Sequence, residues 1–144
     1  MITLRFAVSG GIMLALLAAV HAAQIDDPDK PLEVVFRYIA AGCQKHVPCY
    51  LAVEGKSPSQ ALVKRLRDLP NTRPVTEYEH TGRRRDDRAL LMNLGRAELL
   101  PDGSARVVEL TTMGDRTVSS CSYVLSHDQD GWQIVKQKSM CDLT

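Results

Sequence analysis

Acid–base chemistry needs a base and a partner within hydrogen-bond reach, and the stretch offering those residue types is Val75 to His80. Tyr78 and His80 stand two apart there, with Glu77 and Glu79 beside them and Asp87 further on. Loose alternation reads this stretch as a first strand, with Thr76, Tyr78 and His80 on one face. The pleat then turns Glu79 to the opposite face and breaks the nearest acid–histidine pair. Tyr38 and Tyr123 are the other candidates for an inward polar group, while His46 and His127 sit in or beside turns. No nucleophile–base set is visible, so no catalytic residue is assigned and no cofactor is expected.

Sulfur carries the clearer signal. Cys43, Cys49, Cys121 and Cys141 match no zinc-ligand spacing, and His46 alone lies near a cysteine pair, so no metal site is expected. An even count in an exported chain reads as two disulfides, with three connectivities open. Export is expected from residues 1–22, where Arg5 precedes an apolar run from Phe6 to Val20 and a cut after Ala22. Residues 23–144 are then a single domain in the periplasm or outside the cell, with no lasting membrane anchor. Removing Arg5 from 18 basic residues leaves 17 against 17 acidic ones. Zero net charge excludes a general nucleic-acid binder. The basic cluster Arg83-Arg84-Arg85 with Arg88 contains Asp86 and Asp87 and reads as a solvated loop.

The positioning elements follow from periodicity. Leu32, Val35, Phe36, Ile39, Ala40 and Cys43 form one apolar stripe of a helix opened by Pro31, with Glu33, Arg37 and Gln44 on its other side. A second helix is predicted from Ser57 as N-cap to Leu69, burying Leu62, Leu66 and Leu69 while Lys64, Arg65 and Arg67 face water. Residues 44–56 stay open between a short strand and a helical turn. Three turns, at Pro101-Asp102-Gly103, Gly114-Asp115 and Asp128 to Gly131, divide the rest into a four-stranded antiparallel meander. A three-residue loop at Gln129-Asp130-Gly131 pairs Leu125 with Val135 and Cys121 with Ser139. That register sets Cys141 diagonal to Cys121 and favours the pairs Cys43–Cys49 and Cys121–Cys141.

Two segments resemble the NTF2-like (cystatin-like α+β) superfamily. Pro31 to Gly42 looks like its first helix, and Tyr123-Val124-Leu125 with Asp130-Gly131-Trp132-Gln133-Ile134-Val135 looks like its last hairpin. The resemblance implies an α+β fold, with two N-terminal helices packed on a curved antiparallel meander of four to five strands. It also implies a cone between helix and sheet, whose candidate pocket residues are Phe36, Ile39, Tyr78, His80, Tyr123 and Leu125. A partner surface is expected at Ser120 and Ser122, which share a strand face with Ser126, and at Trp132, a residue type common in binding hot spots.

Three functions are weighed. A non-enzymatic module binding another protein, of accessory, inhibitor or immunity type, ranks first, as a monomer or a homodimer. A binder of a small apolar ligand ranks second, and an isomerase, dehydratase or hydrolase with a dyad near Tyr78 and His80 third.

Overall fold

The spacing of Leu32, Val35 and Phe36 forms a three-turn helix, α1 (Asp29–Ala40), and all three are buried. A computed structural model describes residues 25–43, 47–80 and 88–139. The helix begins two residues before Pro31, where the Asp27 side chain accepts from the Asp29 N–H at 3.0 Å. Pro31 is tolerated in the first turn because its missing N–H would have no intrahelical acceptor. The helix ends by tightening, with the Gly42 N–H donating to Ile39 O and the Cys43 N–H to Ala40 O.

The remaining elements follow in chain order as β1 (Cys49–Val53), α2 (Gln60–Arg65), β2 (Thr72–Pro74), α3 (Val75–His80), β3 (Leu90–Leu94), β4 (Glu98–Leu99), β5 (Ala105–Met113), β6 (Arg116–Asp128) and β7 (Gly131–Ser139). They build one seven-stranded mixed sheet in the order β2-β1-β3-β5-β6-β7, with β4 paired to β5. This overturns the expected plan of two helices on an antiparallel sheet of four to five strands. Among the described residues, only α1 exceeds two turns. The segment 44–56, left open above, supplies β1, which runs parallel to both β2 and β3. Strands β3, β5, β6 and β7 are antiparallel neighbours.

Two local expectations are corrected. Val75–His80 is a helix and not a strand, so Tyr78 and His80 share no strand face and the pleat argument about Glu79 lapses. The second helix is six residues long and starts later, because Ser59 caps it by accepting from the Leu62 N–H at 3.0 Å. Leu62 and Leu66 are buried as expected. Arg65 is not solvated; it turns back on Asp27, Asp29 and Glu33 and ties α2 to the start of α1.

Helix α1 covers one face of the sheet. Leu32, Val35, Phe36 and Ala40 pack with Leu51, Met92, Leu94, Val107, Tyr123 and Leu125 in the core cluster. The Cys43–Cys49 disulfide joins the end of α1 to the start of β1. Cys121 is also disulfide-bonded, while Cys141, its expected partner, lies outside the described residues, as does the expected signal segment. Among the described residues, no helix is long and apolar enough to cross a membrane.

At the last hairpin, Asp128 pairs with Gly131 across a two-residue loop, and a register shift follows between Val124 and Leu125. Leu125 therefore faces Ile134, Val135 becomes the extra residue of a bulge, and Cys121 still faces Ser139. The additional residue assigned by sequence to the loop sits instead in the strand. Gly131 at φ 106° lets the short turn close.

Candidate functional site

Strand β5 places its residues on the two sheet faces in an unusual way. Ala105, Val107, Glu109 and Thr111 point toward α1 and are buried, whereas Arg106, Val108 and Leu110 point away from it. Val108 is 49% exposed and Leu110 41%, yet Glu109 is 1% exposed. The strand leaves two of its aliphatic residues half-exposed and buries its carboxylate.

The register assembles the open face around those two residues. Val108 lies opposite Ser122, Leu110 opposite Ser120, and Arg106 opposite Val124. Across β6, Ser122 faces Lys138 and Val124 faces Lys136. A second irregularity, between Thr111 and Thr112, throws out Val118, which is 41% exposed. Aliphatic residues thus occupy the centre of the face, with serine and lysine toward β7 and the Arg106–Glu98 ion pair toward β4. An apolar centre inside a polar rim is the common layout of a protein–protein contact.

Trp132 lies elsewhere. It faces His127 across the hairpin, with ring centroids 5.1 Å apart, on the α1 side of the sheet. There it borders a shallow 220 Å³ depression with Ile25, Asp26, Lys30 and Leu99. Ser120 and Ser122 share one surface, but Trp132 is not part of it.

The expected pocket residues are similarly divided. Phe36, Tyr123 and Leu125 are buried in the core beneath α1, and Ile39 packs at its margin. Tyr78 is on α3, beyond the opposite face, where its ring meets that of Tyr50 edge to face at 4.9 Å. The cleft between them, bordered by Ala89, Leu91 and Thr112, has a volume of about 30 Å³, room for one or two waters. His80 lies in α3. No single cavity unites the six.

Beneath α1 a polar cluster surrounds Glu109. Its Oε1 accepts hydrogen bonds from the Ser119 hydroxyl at 2.7 Å and from the Thr111 hydroxyl, while Oε2 has no partner among the described residues. Tyr123 lies close by, and its hydroxyl is pushed up to about 12, first by burial and then by Glu109 and Tyr38. Tyr38, 52% exposed, sets its ring against Tyr123 at 5.7 Å and donates to Gln137 Oε1 at 3.1 Å. Glu109 thus gathers the Ser119 and Thr111 hydroxyls into one buried polar network. Among the described residues, no group of His, Cys, Asp and Glu could hold a metal ion.

Sequence reasoning missed Val108, Leu110 and Glu109. The alternation was present, but both faces of Ala105-Arg106-Val107-Val108-Glu109-Leu110-Thr111 carry aliphatic residues, and hydropathy favours burying Leu110 over Glu109. No protein family, curated protein or solved structure matches this chain.

Proposed function

We propose that this chain is an exported, disulfide-stabilised binding module of accessory, inhibitor or immunity type, and that its protein partner docks on the open sheet face. The observation that carries the reading is the mixed patterning of strand β5. It holds Val108 and Leu110 in solvent while burying a carboxylate. Leaving two aliphatic residues half-exposed on a rigid sheet forgoes about 1 kcal/mol of burial for each, which a covering partner recovers. Ser120 and Ser122 beside them allow close approach of a partner backbone. The Cys43–Cys49 bridge supports an oxidising compartment. The small Tyr50–Tyr78 cleft gives no support to a ligand-binding or isomerase reading there.

The test is affinity capture from periplasm and culture medium of the source cells, using the wild type, Val108→Glu with Leu110→Glu, and Tyr78→Phe with His80→Gln. The open-face variant should stay folded and lose its specific partner, because buried carboxylates on a docking surface oppose binding. The Tyr78/His80 variant should keep it. Unchanged capture by the folded open-face variant overturns the reading, as does loss of capture confined to the Tyr78/His80 variant.

A further inference from the structure

We infer that the outer edge of β7 accepts an extended, carboxylate-bearing segment of the partner as an added strand, an inference that rests on the protein-binding reading above. The sheet has two edges, and they differ sharply. At one end β2 has three residues and ends in Pro74, which cannot donate to a ladder. At the other, β7 runs for nine residues and, among the described residues, pairs only with β6. An unpaired strand of that length is a row of backbone donors and acceptors about 30 Å long.

The side chains specify the occupant. Lys136 and Lys138 lie on the open-face side, opposite Val124 and Ser122, and both are exposed. Neither makes an ion pair among the described residues, whereas Arg106 on the same side is matched by Glu98. An added strand with glutamates beside the two lysines supplies the missing charges. On the helix side, Tyr38 and its hydrogen-bonded neighbour Gln137 flank the edge and offer a surface to an apolar residue of the added strand. A period-2 segment, acidic on one face and apolar on the other, fits both. The same lysines reject a second copy of this chain. Symmetric antiparallel pairing about Lys136 or Gln137 sets lysine against lysine, which is unfavourable. Edge lysines and the Val135 bulge can also serve only to keep an edge unpaired, and that is the rival outcome.

The experiment uses protein expressed from the full-length chain and labelled with ¹⁵N. It is titrated with two capped seven-residue peptides, Thr-Glu-Val-Glu-Val-Glu-Thr and its lysine counterpart. The acidic peptide should shift the β7 amides, bind at least about tenfold tighter than the basic one, and weaken as salt is added. Lys136→Glu with Lys138→Glu should reverse the preference, and Lys136→Gln with Lys138→Gln should abolish it. Absence of binding by either peptide up to millimolar concentration overturns the inference, as do equal affinities for the two or shifts confined to other strands. If the acidic peptide fails while Val108→Glu with Leu110→Glu still abolishes partner capture, the edge inference falls and the docking face stands. Peptide binding at β7 with capture unaffected by the open-face variant gives the reverse.

Discussion

Replacing Phe36 by alanine tests the fold most directly, because the site depends on α1 covering one face of the sheet while the other stays open at β5 and β6. Phe36 is fully buried, 0% exposed, in the cluster that joins α1 to β3, β5 and β6. Truncating a buried phenylalanine to alanine costs about 3–5 kcal/mol in lost transfer energy and residual cavity. A domain of this size has only about 5–15 kcal/mol in total, so the loss is a large fraction. With a urea dependence of about 2 kcal/mol per molar, the unfolding midpoint should fall by about 2 M. The neighbouring control is Arg37→Ala. Sequence reading sets Arg37 on the solvated side, but its guanidinium bonds Glu33, both oxygens of Asp68 and the Arg65 carbonyl. It remains partly exposed, so its removal should cost about 1 kcal/mol, not zero. The assay is urea unfolding without reductant, followed by circular dichroism. Equal midpoint shifts for the two variants, or a Phe36→Ala shift under about 0.5 M, would refute the packing of α1 on the sheet.

Three further outcomes follow from the same contacts. Asp27 and Asp68 are held below the usual carboxylate range, chiefly by hydrogen bonds from Arg65 and Arg37. The unfolded chain takes up these protons first, so stability is complete above about pH 4 and is lost as pH falls below it. Asp27→Asn should flatten that acid limb in unfolding curves recorded down to about pH 2. Tyr123, pushed up to about 12, should give a tyrosinate absorbance step well above the usual value of 10, missing in Tyr123→Phe. Its raised value costs the native state stability as pH rises through that window. Peptide mapping of unreduced protein should recover Cys43 linked to Cys49, whose six-residue separation implies about 2 kcal/mol lost in the double alanine variant.

What the sequence made legible was local. The stripe Leu32, Val35, Phe36, Ile39 identifies α1 because these residues recur at the helical period. The turns stand out because Gly103, Gly114 and Gly131 take positive φ. The Cys121–Ser139 pairing was expected through a three-residue loop; it arises from a two-residue loop plus the Val135 bulge, two routes that shift the register equally. Val75–His80 was misread because six residues carry little intrinsic preference, and Tyr78 meeting Tyr50 is a tertiary contact. Strand β1 stayed ambiguous because its parallel partners, β2 and β3, lie later in the chain. The candidate site was the least legible part. Strand β5 has two plausible inner faces, and only the position of α1 chooses between them.

The parallel placement of β1 also governs when the molecule can fold. Strand β1 is synthesised before both of its neighbours, and the α1 stripe precedes its sheet partners on β5 and β6 by more than half the domain. Neither can settle until the hairpins that follow have been made. The antiparallel run from β3 to β7 joins strands close in sequence and is the natural nucleus, onto which α1 and β1 close late. An emerging chain therefore has no native way to finish its first half alone. Its parallel strand and its helix find their partners only when the later strands are present.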